Sequence, residues 1–360
     1  MTLETTSVGS TGLAKDEYPS LTHANYALGL LFVTYLLSFL DRQVLTLLVG
    51  PIREQFGLSD FQFSLLQGAA FAVTYTIAGI PLGRLADRYS RRWIIAGSIF
   101  SWSVMTCACG WAKSYSQLFL ARMGVGIGEA GLSPAAYSII TDSYRPDHMG
   151  YALSFYKMGV TVGGGLALVL GGMIYDFYLA QPSIEWPLLG ELKPWQATLI
   201  TAGLPGFVLC ILMGTIQEPS RKGVAISKTS ATDGQKSFPF MTVIRFLWQR
   251  KRLYGVLFLG SSFLSIANYG SAAWYPEMLA RNYGLSKSET GSAFGMIYLI
   301  AGTIGVMAGP FLASRLQRAG YADANVRTVL IASIVSILPA TLAPLMGSAE
   351  STLLVLWPTV

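Results

Sequence analysis

The stretch that decides the fold is Gly83-Arg84-Leu85-Ala86-Asp87-Arg88-Tyr89-Ser90-Arg91-Arg92, which separates two long apolar segments, residues 61–82 and 93–112. Each segment has about the 20 residues that a helix needs to cross a bilayer. Four arginines in so short a connection favour the cytoplasmic side, because short loops rich in Lys and Arg stay inside. The stretch therefore predicts a transmembrane helical hairpin and fixes its orientation.

The composition extends this interpretation to the whole chain. Of its 360 residues, 52% are hydrophobic and only 12% are charged, with a mean hydropathy of +0.48, whereas soluble domains carry about 25% charged residues. The apolar runs are continuous and do not alternate with period two, so helices are favoured over a β-barrel. We expect an all-α integral membrane protein. Its net charge of +6 comes from basic residues in alternate loops and does not indicate a nucleic-acid partner.

Nine complete spans and the beginning of a tenth are predicted. They cover residues 25–50, 61–82, 93–112, 116–144, 148–178, 195–216, 254–281, 289–314 and 327–346, with the tenth beginning near Ser351. The distribution of basic residues places the N-terminus inside, so residues 1–24 are expected to be a cytoplasmic tail. A polar linker, 218–252, divides a six-helix half, 25–217, from residues 253–360, which we expect to be an incomplete, truncated C-terminal half.

Residues 83–92 resemble the loop between helices 2 and 3 of the major facilitator superfamily, Gly-x-Leu-Ala-Asp-Arg-x-Gly-Arg-Arg, with Ser90 at the usual second glycine. An altered copy, Gly309-Pro310-Phe311-Leu312-Ala313-Ser314-Arg315-Leu316, is expected between spans 8 and 9. The resemblance implies two six-helix halves that rock about a central site. It also implies a conformational latch formed by Gly83, Asp87, Arg88, Arg91 and Arg92.

Two predicted spans each carry two charged residues that we single out: Asp41 and Arg42 in the first, Arg122 and Glu129 in the fourth. A charge near the bilayer centre costs at least ~2.5 kcal/mol, so such residues are functional candidates. We expect Arg42 to pair with Glu129 and Asp41 with Arg122 in the wall of a cavity. Two interpretations stay open. The pairs are either static clamps between helices or a proton switch, in which protonation of Glu129 frees Arg42 to bind an anionic headgroup.

Span 4 resembles the superfamily's second signature, Arg-x-x-x-Gly-x-Gly, over residues 122–128. A narrower similarity, to the Spinster branch, rests on Phe39-Leu40-Asp41-Arg42, Gly126-Ile127-Gly128-Glu129-Ala130 and Glu218-Pro219-Ser220-Arg221. Members of this branch export sphingosine phosphate or lysophospholipids. The similarity implies a proton-linked lipid carrier of bacterial type in the inner membrane, with Arg42 and Glu129 as the coupled pair.

The predicted C-terminal half holds no charge away from the ends of its spans. It does carry polar and aromatic residues, which we assign to the substrate cavity together with Arg42 and Glu129: Asn268, Tyr269, Trp274 and Tyr298. An anionic head near Arg42 and an apolar tail against this uncharged half describe an amphiphile, such as a lysophospholipid or a sphingolipid-like molecule. Ordinary packing or contact with bulk lipid is the alternative role for these aromatic residues.

We therefore expect a monomeric, proton-coupled secondary transporter that works by alternating access, without cofactor or metal. One alternative is a proton-driven exporter of drugs or other organic anions, which would have the same helices. An alternative of another class is a membrane-bound lipid enzyme. An enzyme would need converging nucleophile, base or metal ligands, and the sequence offers no such set.

Overall fold

The computed structural model describes residues 18–186, 190–222 and 240–359, and these ranges are almost entirely helical. Residues 1–17 of the predicted tail and residues 223–239 of the predicted linker lie outside the described part. The first helix begins at Leu21, where the Ser20 side chain accepts a hydrogen bond from the backbone N–H of His23. Such a cap satisfies one of the free N–H groups of the first turn.

The chain before residue 222 forms nine α-helices and one short hairpin of strands. The helices are α1 (Leu21–Leu47), α2 (Val49–Phe56), α3 (Asp60–Ser64), α4 (Ala70–Arg88), α5 (Arg91–Trp111), α6 (Tyr115–Glu129), α7 (Leu132–Ser143), α8 (Pro146–Leu179) and α9 (Pro194–Met213). A π-helical turn, Leu65–Ala69, joins α3 to α4. Strand β1 (Glu185–Trp186) pairs antiparallel with β2 (Gly190–Glu191) between α8 and α9.

The chain after residue 240 forms six further helices. They are α10 (Phe240–Gln249), α11 (Lys251–Tyr283), α12 (Lys287–Ile297), α13 (Thr303–Arg318), α14 (Ala324–Leu342) and α15 (Ala349–Leu356). A second π-helical turn, Tyr298–Gly302, joins α12 to α13. Short 3-10 turns, Ala343–Leu345 and Trp357–Thr359, flank α15.

Eight helical segments of the described chain are long and apolar enough to cross a membrane. The predicted fourth span, 116–144, is not one of them, because it is divided at Ala130 and Gly131 into α6 and α7, of 15 and 12 residues. Neither part reaches the roughly 20 residues of a complete span. The fold is thus a multi-span helical one, while the count of nine spans and a tenth stays a prediction.

The turn between α4 and α5 is shorter than the sequence predicted. Helix α4 continues through residues 83–88, and only Tyr89 and Ser90 leave the helical conformation before α5 begins. The altered copy of this stretch, 309–316, lies wholly within α13. The helix therefore continues through the stretch that was expected between spans 8 and 9. Glycine and proline at its start do not break the helix, because an apolar environment strongly favours internally bonded backbone.

The core lies among α1, α5, α6, α8 and α9, where α5 packs along α9 and α1 along α8. Close approach of the last pair depends on Gly163, since a Cβ there would lie 2.9 Å from Cα of Leu36. Trp102, Trp195 and Tyr156 are fully buried in this core. Helices α4, α11, α13 and α14 expose most of their apolar side chains, as expected of helices that face lipid or a cavity.

The helices before and after the linker meet at one end of the molecule, which we call the outer end because the predicted topology places α2 and α3 there. The Arg281 guanidinium donates to both carboxylate oxygens of Asp60, at 2.9 and 3.2 Å. Glu277 is buried and accepts from Arg281 at 2.8 Å and from Lys287 at 3.2 Å. At the opposite, inner end, residues 251–270 of α11 are almost wholly exposed, so the described helices leave open space beside this part of α11.

Candidate functional site

An ion pair between α1 and α6 lies at the centre of the site. Arg42 contacts the Oε2 atom of Glu129 through Nη2 at 2.5 Å and through Nε at 2.6 Å. Glu129 is 1% exposed, whereas the Arg42 side chain retains 15% of its accessible surface. The predicted pair is therefore present, with the carboxylate enclosed and the guanidinium reaching the surrounding space.

The two oxygens of the Glu129 carboxylate have different surroundings. Oε2 accepts a third hydrogen bond, from the Ser38 hydroxyl at 2.7 Å. Oε1 is buried and has no hydrogen-bond partner among the described residues. Ser38 lies one helical turn before Arg42 on α1, so the two side chains reach the same oxygen from one face of that helix. The free lone pairs of this carboxylate are thus concentrated on Oε1.

Aromatic rings surround the Arg42 guanidinium. Its central carbon lies 4.5 Å from the ring centroid of Phe71, 4.7 Å from that of Phe39 and 5.2 Å from that of Tyr75. Phe71 and Tyr75 are one turn apart on α4 and stack with centroids 5.5 Å apart. Rings at these distances stabilise a cation through their electron-rich faces. They also fix the orientation of the guanidinium toward Glu129.

The predicted ion pair between Asp41 and Arg122 is not formed within the described chain. Arg122 donates instead to the backbone carbonyl of Arg42 at 3.5 Å and lies 5.2 Å from the Phe71 ring centroid. Asp41 accepts only a long hydrogen bond, 3.4 Å, from Thr106 on α5. Adjacent residues of a helix point about 100° apart, because ~3.6 residues make one turn. Asp41 therefore faces α5 while Arg42 faces α4 and α6.

Asp41 and Arg122 are nevertheless both buried, at 1% and 4% exposure. The Oδ1 atom of Asp41 and the Nε atom of Arg122 have no hydrogen-bond partner in the described part of the chain. Leaving such atoms unpaired in an apolar interior is unfavourable. The structure thus holds four charged side chains close together, of which two are directly paired and two keep unused hydrogen-bonding capacity.

Two glycines bring α6 close enough to its neighbours to place Glu129. A Cβ at Gly126 would lie 2.6 Å from the carbonyl oxygen of Phe71 on α4, and one at Gly128 would lie 2.6 Å from the backbone nitrogen of Trp102 on α5. No larger residue fits at either position without displacing backbone. The Gly-x-Gly of the second signature therefore has a packing function, and Glu129 follows it at the end of α6.

The cavity residues predicted in α11 and beyond lie in different surroundings. Asn268 and Tyr269 are exposed toward the open side, Tyr269 by 59%, and Tyr269 is near enough to interact electrostatically with Arg42. Tyr298 packs edge-to-face on Phe294, with centroids 5.4 Å apart. Trp274 lies 5.7 Å from the Arg281 guanidinium, at the closed outer end. Asn268 and Tyr269 thus border the open space, and Trp274 does not.

A second charged cluster surrounds Arg91 at the inner end. Arg91 is fully buried and its Nε atom lies 2.9 Å from Oε1 of Glu218, which also accepts the Arg91 backbone N–H at 2.9 Å. The guanidinium contacts the Asp142 carboxylate, the Ser138 hydroxyl at 2.9 Å and the Pro219 carbonyl at 2.5 Å. It therefore connects the start of α5, the end of α7 and the segment after α9.

The remaining latch residues differ from Arg91. Arg92 donates to the Ile216 carbonyl at 3.1 Å, while Asp87 and Arg88 are exposed at the end of α4. Arg221 caps the same turn from the other side, donating to the carbonyls of Ala86 at 2.8 Å and Tyr89 at 2.6 Å. Within the described ranges, Arg91 and Arg92 therefore have side-chain contacts to the backbone or to carboxylates, whereas Asp87 and Arg88 lie at the surface.

Glu218 has a lowered pKa. Partial burial would raise it, but hydrogen bonds from Ser90 and Arg91 and the positive charge of Arg91 outweigh that effect. In the sequence, Glu218 belongs to a motif of the Spinster resemblance, and no pattern assigns a function to Asp142 or Ser90. The contacts join residues more than 120 positions apart, which no local pattern reveals. Ser38 and the Phe71–Tyr75 pair, by contrast, have the one-turn spacing that helix periodicity offers as a signal.

No group of three or more His, Cys, Asp or Glu side chains that could hold a metal ion occurs in the described ranges. Cys107, Cys109 and Cys210 are free thiols. The site therefore consists of ionisable, hydroxyl and aromatic side chains. Such a set can exchange protons and bind an anion.

The Major Facilitator Superfamily model matches residues 31–360. Protein spinster homolog 1 of Rattus norvegicus is 26% identical over 322 residues, covering 85% of this chain and 58% of the relative. An MFS-type efflux pump of Mycolicibacterium smegmatis is 27% identical over 296 residues, covering 81% and 62%. The chain thus spans about three-fifths of the length of these relatives.

A solved structure gives the same assignment. It is described as a bacterial homolog to the human lysosomal transporter Spinster in an inward-facing and unoccupied conformation, and it is 30% identical with a TM-score of 0.76. The match covers 95% of this chain and 72% of that one. Sequence motifs, helical architecture and both comparisons agree, and the chain belongs to the major facilitator superfamily, within its Spinster branch.

Proposed function

We propose that this protein is a proton-coupled secondary transporter of an anionic amphiphile, a lysophospholipid or sphingolipid-like molecule. The observation that carries the proposal is the pairing of Arg42 with a single oxygen of Glu129 at the side of an open cavity. The Spinster-branch relatives support a lipid substrate by likeness. This chain spans about three-fifths of the length of these relatives, so the activity of the whole protein is part of the proposal.

Proton coupling follows from the unused oxygen of Glu129. A proton added to Oε1 neutralises the carboxylate without first displacing Arg42 or Ser38 from Oε2. Neutralisation removes most of the attraction that holds the guanidinium. Arg42, already partly exposed, then becomes available to an anionic headgroup. Loss of the proton restores the ion pair and expels the headgroup, so binding of substrate and proton are linked.

Arg42 suits the recognition of a phosphate or sulfate headgroup. A guanidinium presents several donors in a plane and pairs with tetrahedral anions through two of them. The Phe39, Phe71 and Tyr75 rings keep it oriented when Glu129 releases it. Asp41 and Arg122 would adjust the local charge during this exchange, and we retain them as members of the coupling group.

The opposite wall of the cavity suits an apolar tail. Helix α11 presents largely apolar exposed residues toward the open end, including Phe263, Leu264 and Ile266. Asn268 and Tyr269 add polar groups nearer to Arg42. A molecule with a charged head and a hydrocarbon chain would satisfy both sides, whereas a sugar would leave the apolar wall in contact with water.

Alternating access would involve the two predicted halves, 25–217 and 253–360. With the predicted orientation, contact at the outer end and the open space at the inner end correspond to an inward-facing state in the inner membrane. We also propose nine complete spans, counting the divided α6–α7 pair as one, with α15 beginning the tenth. Residues 83–92 would then act as a latch at the inner end.

The efflux pump among the relatives supports a second candidate, a proton-driven exporter of drugs or other organic anions. It would use the same Arg42 and Glu129 chemistry with a wider range of tails. A lipid-processing enzyme is the less supported alternative, since the relatives named above are transport proteins. Purified protein that turns over lysophospholipid would contradict our proposal.

The proposal is tested with the full-length protein in proteoliposomes. Uptake of labelled lysophosphatidylglycerol is measured with and without an imposed proton gradient. We expect the gradient to accelerate uptake and the Glu129→Gln variant to abolish that acceleration. The exposed hairpin residue Glu185 provides a matched control, and Glu185→Gln should transport normally. Gradient-driven lipid uptake that persists in Glu129→Gln would refute the coupling site, and uptake of water-soluble anions without any lipid would favour the exporter.

A further inference from the structure

A groove runs along the side of the molecule, between α4 and α5 and away from the cavity that contains Arg42. It has a volume of about 510 Å³ and an almost wholly apolar lining, and α6 forms its floor. Its walls and floor include Leu85, Tyr89, Trp93, Gly97, Ser101 and Ile127. The groove shares one end with the stretch 83–92, and the proton-coupling site does not account for it.

The groove exists because α4 and α5 diverge from their two-residue turn. Helix α5 packs mainly on α9 and α6, whereas α4 packs on α6 and has little contact with α5. The space between them runs from Ser90 to Ser101, which at ~1.5 Å per residue is about 16 Å. One leaflet of a bilayer contributes about half of its ~30 Å hydrocarbon core. The groove therefore has the depth of one leaflet.

The mouth of the groove has the chemistry of a membrane surface. Tyr89 and Trp93 are 63% and 59% exposed, and aromatic side chains of these types collect at the headgroup level. Arg88 is exposed beside them, and the Arg92 guanidinium lies 5.3 Å from the Trp93 ring centroid. Basic residues at this level attract anionic lipid headgroups.

We propose that the groove binds an acyl chain of an anionic phospholipid from the adjacent leaflet, with the lipid phosphate at Arg88 and Arg92. The apolar lining, the one-leaflet depth and the basic mouth together match this occupant. Gly128 of α6 forms part of the floor and directly precedes Glu129. A lipid in the groove therefore contacts and supports α6, the helix that carries the coupling carboxylate. Lipid binding in this groove does not depend on which substrate the protein transports.

The test uses full-length protein in detergent and native mass spectrometry. Phosphatidylglycerol and phosphatidylcholine with identical acyl chains are titrated, and we expect about tenfold tighter binding of phosphatidylglycerol at one site. Gly97 allows a steric block, because a Cβ there has no atom within 4 Å. Gly97→Leu should fill the groove and remove the tight site. Gly255, on α11, also has open space around a Cβ, and Gly255→Leu should leave binding unchanged.

A second measurement, by fluorescence, needs no substitution that fills the groove. Phosphatidylglycerol with brominated chains should quench Trp93, so the quenched part of the total fluorescence should fall in Trp93→Phe. Equal binding of the two lipids, unchanged binding in a folded Gly97→Leu variant, or quenching that does not involve Trp93 would each overturn the proposal. Absence of any tightly bound lipid would mean that another segment of the full-length protein covers the groove, and would overturn it as well.

Discussion

Arg42 and Glu129 meet through one carboxylate oxygen only: Nε and Nη2 of the arginine both lie within 2.6 Å of Oε2, and Oε1 is left without a partner in the described chain. A static clamp between helices would gain most from two parallel hydrogen bonds, one to each oxygen. The arrangement found here instead concentrates the partners on one side of the carboxylate and leaves the other side free to accept a proton.

This geometry predicts that charge alone does not suffice at position 42. Lysine keeps the positive charge, but its single ammonium group cannot reproduce the two nitrogens on Oε2 or the stacking on Phe71. We expect Arg42→Lys to reduce lipid transport by about tenfold while the protein still folds. Transport rates and Tm are measured together on the same preparation.

The matched control for that substitution is Arg245→Lys. Arg245 is an exposed residue of α10, remote in sequence from the site. The Arg245→Lys variant should transport lipid at the normal rate. A fully active Arg42→Lys variant would mean that only the charge at position 42 matters, and the proposed headgroup recognition would lose its basis.

The position of Glu129 depends on close helix packing, which leads to a second prediction. A Cβ at Gly128 would lie 2.6 Å from the backbone nitrogen and 3.0 Å from Cα of Trp102, so α6 must move away from α5. Overpacking of this kind costs about 1–3 kcal/mol. Gly128→Ala should therefore lower both Tm and proton-coupled uptake. Gly79→Ala, with open space at its Cβ, should change neither.

Much of the fold follows from the sequence, because backbone hydrogen bonding in a bilayer leaves few alternatives to long apolar helices. The pairing of Arg42 with Glu129 also follows, since two opposite charges buried in neighbouring spans are strongly driven to meet. The prediction for Asp41 and Arg122 was wrong. It paired opposite charges without considering the direction in which each side chain leaves α1. Asp41 points toward Thr106 and not toward Arg122.

Other features depend on contacts that local patterns do not encode. The division of the fourth span at Ala130 and Gly131 arises from packing, and its composition remains that of an apolar helix. The burial of Arg91 against Glu218 and Asp142 joins distant parts of the chain. Helix α4 likewise continues through residues that the signature suggests as loop, Gly83 included, and the helical conformation ends only at Tyr89.

The Arg91 cluster predicts a large effect on stability. Replacing this fully buried arginine by methionine would leave the carboxylates of Glu218 and Asp142 without their shared cation. Removing one partner of a buried ion pair typically costs about 3–5 kcal/mol, so Arg91→Met should lower Tm strongly in detergent. Arg92→Met removes one hydrogen bond, to Ile216, and should lower Tm much less. Similar Tm values for the two variants would contradict the assignment of Arg91 as the central residue.

The lowered pKa of Glu218 predicts a pH dependence of stability. A carboxyl group whose pKa is lower in the folded state stabilises the protein fully above its ordinary value of 4.5. The contribution disappears as the pH falls through the lower, folded value. The Tm difference between the natural protein and Glu218→Gln should therefore be largest near neutral pH and shrink below about pH 4.5. A difference that is constant from pH 7 to acid would show that the charge of Glu218 has no effect on stability.

We expect closure of the outer end to depend in part on the ion pair between Asp60 and Arg281, which joins the two sets of helices. Asp60 is half exposed, and such pairs contribute about 0.2–1 kcal/mol. Asp60→Asn should therefore raise the population open at the outer end by up to about fivefold. Distances between spin labels at Glu54 and Asn282, both exposed at that end, would report the change. Asp323 pairs with Arg327 within α14, so Asp323→Asn is the control and should leave the distance distribution unchanged. An unchanged distribution in Asp60→Asn would mean that other contacts between the two sets of helices, such as the hydrogen bond from the Ser288 backbone N–H to Asp176, hold the outer end closed without help from Asp60.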